Sequence, residues 1–171
     1  MDAKIRRKRI LQSLQQAIEP ISATTFAQQL EVSRQLIVGD IALLRAQGNE
    51  VVATARGYMI QRQAPTGRYH GKIACLHSLP ETKQELLAVV EEGAEVLDVL
   101  VDHELYGEMT GQLGISTKQD IEMFAKKLHN DNVRLLSELT GGVHLHTIAC
   151  KDAATFDRIR GKLAKLGLLY Q

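Results

Sequence analysis

The sequence predicts an α+β protein of two domains, a winged helix-turn-helix followed by an α/β sandwich with a mainly antiparallel sheet and helices on one face. Three short helical segments and a hairpin open the chain, and strand and helix patterns alternate after residue 68. Between these regions, Pro65 and Gly67 interrupt residues 63–67, which favours a linker. We therefore assign residues 1–63 to the first domain and residues 68–171 to the second, for which an HPr-like and a split βαβ arrangement both fit.

The N-terminal helices are predicted from apolar spacing and from the residues that begin and end them. Pro20 ends the first helix, Ser22 and Ser33 can cap the second and third, and Gly48 ends the third. Strand-like alternation on both sides of Ala55-Arg56-Gly57 predicts a hairpin, the wing. The predicted helices cover residues 3–18, 23–30 and 33–46, and the predicted strands cover residues 50–54 and 58–61.

The third helix is the predicted DNA-reading element, because a three-residue turn precedes its serine cap. Ile37, Ile41 and Leu44 form one apolar stripe, which leaves the opposite face to meet DNA bases. Arginine suits guanine and glutamine suits adenine, and a cation at the wing tip could enter the minor groove. The predicted DNA-contacting residues are Ser33, Arg34, Gln35, Val38 and Arg56, and the basic run Arg6-Arg7-Lys8-Arg9 is expected near the phosphate backbone.

Charge is distributed unevenly along the chain. Residues 1–63 hold nine Lys and Arg against five Asp and Glu, whereas the remainder holds twelve against fifteen, within a total charge of +1. Basic character is thus confined to the part that is predicted to bind DNA. Two segments of this part resemble the DNA-binding domains of DeoR-type and biotin-repressor-type regulators: Phe26-Ala27-Gln28-Gln29-Leu30-Glu31-Val32-Ser33-Arg34-Gln35 and Asp40-Ile41-Ala42-Leu43-Leu44-Arg45.

The composition excludes several other classes of protein. Hydrophobic residues make up 44% of the chain, yet no apolar run approaches the ~20 residues that a membrane span needs. The N-terminus lacks the apolar stretch of a signal peptide, so we expect a cytoplasmic protein with no membrane partner. Cys75 and Cys150 lie in apolar runs and are expected to be reduced core residues rather than a disulfide.

The second domain is predicted to follow the order β-α-β-β-α-β-α, with strands at residues 68–77, 94–103, 105–111 and 141–149. Capping boxes are expected at Ser78-Leu79-Pro80-Glu81 and at Ser116-Thr117-Lys118-Gln119, and Asp152 is expected to cap the last helix. The first two of these helices are predicted to end near residues 92 and 130. Their expected core positions are Ile121, Phe124, Ala125 and Leu128 in the second, and Phe156, Ile159, Leu163 and Leu166 in the last.

Histidines are the most distinctive polar residues of the second domain. His144 and His146 alternate on one predicted strand, so both point to the same side of it. Val143 and Leu145 then point to the other side, which we expect to be the core. Two imidazoles with this spacing can converge on one metal ion.

Three further segments show a closer resemblance. They are Leu76-His77-Ser78 with Glu85-Leu86, Val101-Asp102-His103-Glu104-Leu105-Tyr106-Gly107-Glu108, and Leu136-Ser137-Glu138-Leu139-Thr140-Gly141-Gly142-Val143-His144-Leu145-His146-Thr147-Ile148. With them, almost the whole chain resembles the niacin-responsive transcriptional repressors, which join a biotin-repressor-like winged helix to a three-histidine domain.

The resemblance implies a repressor of genes for NAD synthesis or niacin uptake, with nicotinic acid as co-repressor, and not an enzyme. It further implies one divalent metal ion in the second domain, held by His77, Glu85, His144 and His146, and an effector pocket that includes His103. Such a ligand set suits Zn²⁺, Ni²⁺, Fe²⁺ or Mn²⁺. Coordination positions left open could take the pyridine nitrogen or the carboxylate of nicotinate, and the helix N-terminus after Ser78 is a candidate for binding that carboxylate.

Repressors of this shape bind palindromic operators as two-fold dimers, and the spare sheet face makes the second domain the expected dimer-forming part. Two alternatives stay open at this point. The ion itself could be the effector of a metal-responsive regulator. Alternatively, a small metal-dependent enzyme domain, with Glu81, Asp102 or Glu108 as base, could be fused to a DNA-binding module.

Overall fold

The computed structural model describes residues 2–61, 67–130 and 133–170. The chain divides into two structural units, Met1–Ala64 and Pro65–Gln171. Of the predicted linker at residues 63–67, all but Gly67 lies outside the described residues. Among the helices described, none is long and apolar enough to cross a membrane.

The first unit contains three helices and a two-stranded antiparallel hairpin. Asp2, Ser22 and Ser33 cap the helices, since each side chain accepts a hydrogen bond from a backbone N–H of the first turn. Between the second and third helices, Glu31 turns the chain in the left-handed conformation, with φ 55° and ψ 46°. The elements are α1 (Ala3–Gln16), α2 (Ala23–Leu30), α3 (Arg34–Ala46), β1 (Val51–Thr54) and β2 (Gly57–Ile60).

The core of the first unit confirms the predicted stripe of α3, because Ile37, Ile41 and Leu44 are all buried. The prediction for α1 extends too far. The helix ends at Gln16, and Ile18 beyond it is 82% exposed. The buried positions of α1 are Arg6, Ile10 and Leu14.

The buried position of Arg6 corrects the expectation that the whole basic run faces DNA. Its Nε donates to Oδ2 of the buried Asp40 carboxylate over 2.5 Å, and a second guanidinium nitrogen lies 3.3 Å from Oδ1. Arg7 also reaches Oδ1, at 3.4 Å. The hydrogen bond to Asp40 raises the pKa of Arg6, against the opposing effect of burial. Lys8 and Arg9 remain exposed and available to a polyanion.

The second unit is a four-stranded antiparallel sheet with three helices. Its strands are β3 (Tyr69–Leu76), β4 (Glu95–His103), β5 (Gly107–Ile115) and β6 (Val143–Cys150), and its helices are α4 (Thr82–Val90), α5 (Lys118–Asn130) and α6 (Ala153–Lys165). Short 3-10 helices cover Leu79–Glu81 and Leu136–Thr140. The strand order is β5-β4-β6-β3, with every pair antiparallel.

This strand order separates the two predicted arrangements. The last strand, β6, lies between the first two strands of the unit, β3 and β4. A split βαβ arrangement would place the third strand there, so the HPr-like alternative is the one that fits. The central position of β6 matters for the site, because β6 carries the His-x-His pair.

Side-chain caps begin the helices, but one capping partner differs from the prediction. Glu81 accepts from the N–H of Ser78 at 2.7 Å, as the first predicted capping box requires, and also from the Ser78 hydroxyl at 2.5 Å. This N–H is therefore taken by Glu81 and not left for an external carboxylate. In the second box the cap is Thr117, whose Oγ1 accepts from the N–H of Asp120, while Oδ2 of Asp120 accepts from the N–H of Thr117. The reciprocal partner is thus Asp120, rather than Gln119.

Two element boundaries also differ from the prediction. β5 begins at Gly107, after a turn in which Leu105 and Tyr106 are exposed, and extends four residues past the predicted end, to Ile115. In α6, Phe156, Ile159 and Leu163 are buried as expected, but Leu166 lies beyond the helix end and is 41% exposed. The chain turns at Gly167, so that Leu168 enters the core in its place.

Candidate metal centre and candidate DNA-contacting helix

Four polar side chains converge between the sheet and α4 in the second unit. His77 follows the end of β3, His144 and His146 lie on β6, and Glu85 lies in the first turn of α4. Antiparallel pairing places Cys75 opposite His144 and Ile73 opposite His146, which aligns both imidazoles of β6 with the end of β3. Glu85 is 1% exposed, so the cluster is closed from water.

The structure places the His-x-His pair on the inner side of the sheet, which corrects the predicted orientation of β6. His144 and His146 are buried, whereas Val143 and Leu145 on the opposite side are only half-buried. Burying two imidazoles is tolerable because a carboxylate from α4 meets them there. The candidate site is therefore part of the core.

Glu85 is the centre of this cluster. Its Oε1 lies 2.7 Å from Nε2 of His146 and 3.2 Å from Nε2 of His144, and its Oε2 contacts Nε2 of His77. The ring of His144 lies edge-on to the other two, with centroids 4.7 Å from His77 and 4.9 Å from His146. Three Nε2 atoms thus face one carboxylate.

The second nitrogen of each imidazole is held by a backbone carbonyl. Nδ1 of His77 lies 2.8 Å from the oxygen of Ser78, Nδ1 of His144 lies 2.7 Å from that of Gly142, and Nδ1 of His146 lies 2.6 Å from that of Asp98. A carbonyl oxygen only accepts, so each Nδ1 carries the proton. In the neutral ring the lone pair is then on Nε2 and points toward Glu85, the arrangement that orients metal-binding histidines.

The electrostatics of the cluster favour a bound cation. Burial opposes ionisation of Glu85, but attraction by His146 and hydrogen bonds shared with His144 and His146 outweigh burial and lower the pKa of Glu85. Burial likewise disfavours the charged form of His146, yet the charge of Glu85 raises the pKa of His146 overall. An ionised carboxylate and three imidazole lone pairs directed at one point require positive charge there, supplied by protons or by a metal ion.

Cys75 is a member of this neighbourhood that is absent from the predicted ligand set. Its Sγ, a carboxylate oxygen of Glu85 and a ring nitrogen of His144 all lie within 4.8 Å of one another, and all three residues are buried. The signal is present in the sequence, because Cys75 and His77 are spaced i, i+2 at the end of a strand, like His144 and His146. The two cysteines are free thiols, as expected.

His103 lies apart from these contacts, at the end of β4. Its Nδ1 accepts hydrogen bonds from the N–H groups of Leu105 and Tyr106, at 3.2 and 3.3 Å, and its ring stacks on that of Tyr106 at 5.0 Å. Within the described residues, these contacts keep His103 in its own hairpin turn. Its role toward an effector stays a prediction.

A cavity of about 300 Å³ lies between α4 and α5, next to the cluster. Phe124, Ala125 and Leu128, predicted as core residues of α5, are half-buried and line this cavity. Oγ1 of Thr82 is buried and has no hydrogen-bond partner among the described residues. Thr82, Leu86 and Phe124 also line a second, small cavity of about 40 Å³, which the side chains of the His–Glu cluster line as well. These three residues therefore lie between the larger cavity and the cluster.

The predicted DNA-contacting residues of α3 are accessible at its N-terminal end. Ser33, Arg34 and Gln35 are exposed, and the Ser33 hydroxyl accepts from the N–H of Leu36 at 3.2 Å. Val38 is only half-buried but packs against the core of the unit. Arg56 lies in the hairpin turn and forms an ion pair with Glu19 at 2.7 Å. Contact with DNA by Arg56 would therefore exchange this carboxylate for a phosphate or a base.

Comparison with known proteins agrees with both units. An HTH domain model matches residues 6–59, and a 3H domain model matches residues 70–171. The chain is 40% identical to a protein of Thermotoga maritima named "Probable transcription repressor NiaR", over 97% of this chain and 94% of that protein. It is 36% identical to the "Transcription repressor NadR" of Bacillus subtilis, over 96% of this chain and 92% of that protein. Relatives named as repressors, together with the HTH domain, place the chain among regulators and not among enzymes. The chain belongs to the family of NiaR and NadR transcription repressors, with an N-terminal HTH domain and a C-terminal 3H domain.

Proposed function

We propose that this protein represses genes for NAD synthesis or niacin uptake, with nicotinic acid as co-repressor and a divalent transition metal in the 3H domain. The observation that carries the proposal is the buried set of three imidazoles around Glu85, joined in one chain to an HTH domain. The names of its relatives support repression. Such a repressor works where the genes are, so we expect it in the cytoplasm.

The donor set supports the metal. His77, Glu85, His144 and His146 would hold the ion, and their three nitrogens and one carboxylate suit Zn²⁺, Ni²⁺, Fe²⁺ or Mn²⁺. When bound, the ion would offer its open coordination positions to a pyridine nitrogen or a carboxylate, both of which nicotinate has. Burial of the cluster excludes competing water, which strengthens any such interaction.

The cavity between α4 and α5 supports a place for nicotinate close to the ion. It is large enough for a single aromatic ring, and Phe124 offers that ring an apolar wall. Thr82, with its hydroxyl oxygen, and Lys83, whose ammonium pairs with the exposed Glu122, also line this cavity and offer polar groups to a ligand. His103 remains the effector residue that the family resemblance implies, and its ring would donate a hydrogen bond to the bound nicotinate.

We further propose that the protein acts as a two-fold dimer on a palindromic operator, joined through its 3H domains. The outer face of the sheet supports this role, since the half-buried side chains of Val143 and Leu145, opposite the His pair, give it apolar character. Nicotinate promotes repression only if it prefers the arrangement of HTH domains that fits the operator.

The decisive experiment measures binding to promoter DNA of NAD-synthesis and niacin-uptake genes from the same genome. The protein is titrated with metal alone, then with metal and nicotinate, and finally with nicotinamide. We expect nicotinate to tighten DNA binding only when metal is present. By linkage, saturating DNA must tighten nicotinate binding by the same factor. Full affinity with metal alone would instead identify a metal-responsive regulator, and unchanged nicotinate affinity on DNA would remove the co-repressor mechanism.

The reading role of α3 predicts a loss of specificity when Arg34 is replaced. Arg34→Ala should weaken binding to the specific operator by about 1–3 kcal/mol, on the order of 10–100-fold, and binding to random DNA far less. Arg9→Ala is the matched control, because Arg9 is exposed on α1 and should lower both affinities alike. Competition binding with the two DNAs measures the difference. An equal loss on both DNAs for Arg34→Ala would contradict the base-reading role.

A further inference from the structure

We propose that Cys75 is a fifth protein ligand of the metal centre, donating a thiolate sulfur beside the three imidazoles and Glu85. This inference rests on the metal centre proposed above and deepens it. It changes the class of ion that the site prefers, since a sulfur donor favours Zn²⁺, Ni²⁺ and Fe²⁺ over Mn²⁺.

The position of Cys75 carries the argument. The register of the sheet sets it directly opposite His144, and its Sγ lies within 4.8 Å of the ligand atoms of both His144 and Glu85. Two donors of one ion, each about 2.0–2.3 Å from it, are separated by no more than about 4.6 Å, so these atoms need to move little to share one ion. The side chain of Cys75 is 0% exposed, and its Sγ lies among buried ligand atoms rather than toward solvent.

Cys150 shows that burial alone does not bring a thiol to the cluster. It is also 0% exposed and lies in the same sheet, at the far end of β6 from His144. Its Sγ donates to the backbone oxygen of Asp152 at 3.3 Å, outside the cluster. The two cysteines therefore form a matched pair, one beside the ligands and one remote from them.

Ligation requires the thiol to give up its proton. The S–H bond of Cys75 breaks, the proton leaves to solvent, and the sulfur lone pair forms the bond to the ion, with no change of oxidation state. The thiolate and Glu85 together supply two negative charges, which neutralise a divalent ion inside the core. The alternative role for Cys75 is a neutral thiol that donates to Glu85 and orients it.

The test is spectroscopy of the full-length protein loaded with Co²⁺ or Ni²⁺. We expect a near-ultraviolet sulfur-to-metal charge-transfer band in the wild type and in Cys150→Ser, and its loss in Cys75→Ser, which should still bind metal through the other ligands. Loss of a group that only supports a metal ligand lowers metal affinity by ~10–100-fold. The affinity of Cys75→Ser for Zn²⁺ should fall by at least this factor, and its affinity for Mn²⁺ should fall less.

X-ray absorption of the Zn²⁺-loaded wild type gives a second readout that does not depend on folding of a variant. We expect a sulfur neighbour at about 2.3 Å, next to nitrogen and oxygen neighbours at about 2.0–2.2 Å. Metal bound without the band and without a sulfur neighbour would overturn this inference alone and leave Cys75 as a donor to Glu85. Failure of the wild type and of Cys150→Ser to bind any metal would overturn both this inference and the proposed metal centre.

Discussion

Replacing His144 by alanine should abolish stable metal binding and, with it, the effect of nicotinate on DNA affinity. The side chain supplies one of the three Nε2 atoms that face Glu85, and the other two belong to His77 and His146, which are predicted ligands themselves. Loss of a group that hydrogen-bonds to a metal ligand lowers metal affinity by ~10–100-fold. Because His144 is itself a proposed ligand, we expect its loss to lower metal affinity by about 100-fold or more. Elemental analysis of dialysed protein and calorimetric titration with nicotinate measure both effects.

The chain offers close controls for this experiment. His70→Ala removes an exposed histidine outside the cluster, and this variant should retain full metal content. Glu85→Gln keeps the side-chain volume but removes the central charge, so it should lose metal as His144→Ala does. Full metal content and full nicotinate affinity in His144→Ala would contradict the proposed site, provided that circular dichroism shows a folded protein.

The winged helix shows how much local pattern can predict. Ser22 and Ser33 cap helices where the sequence places them, and the stripe of α3 is buried, since capping and amphipathic spacing are local properties. Arg6 is the exception. Its spacing from Ile10 and Leu14 puts it on the buried face, but its neutralising partner, Asp40, lies 34 residues away. Because local pattern carries no information about such a partner, it predicts that the whole basic run faces solvent.

The candidate metal centre also depends on contacts between residues that are distant in the sequence, which local pattern does not predict. Alternation along β6 predicts that His144 and His146 share a side, but not which side, because that depends on the residue that meets them. Glu85 is 59 residues from His144 and reaches it only through the packing of α4 on the sheet. The set of four ligands therefore follows from the family resemblance rather than from spacing. The i, i+2 spacing of Cys75 and His77 indicates that they share a side of their strand, but the proximity of Cys75 to His144 depends on the register of β3 with β6, which no local pattern contains.

The second large effect is expected in the core of the HTH domain. Asp40→Ala should destabilise this domain by about 3–5 kcal/mol, because it leaves the buried guanidinium of Arg6 without its carboxylate. Arg7 cannot compensate, since it carries the same charge and shares the same carboxylate. Against a total stability of about 5–15 kcal/mol, such a loss should be plain in urea unfolding followed by circular dichroism. Arg9→Ala, at an exposed position of the same helix, should stay within about 0.5 kcal/mol of the wild type.

A double variant tests whether the cost of Asp40→Ala comes from removing the carboxylate that neutralises Arg6. The double variant replaces both partners by apolar residues, Arg6→Met and Asp40→Leu. It removes the buried guanidinium that loses its carboxylate in Asp40→Ala, so stability should return to near the wild-type value or above it. Equal destabilisation of the double and single variants would show that the ion pair fixes the packing of α1 on α3 in a way that apolar side chains cannot replace.

The same double variant also tests whether Arg6 contributes to DNA binding. If Arg6 serves the core and not the phosphates, the salt dependence of DNA affinity should be unchanged in this variant. Replacing both Lys8 and Arg9 by alanine should instead lower the slope of log affinity against log salt concentration, by up to about 0.9 for each phosphate that is no longer neutralised.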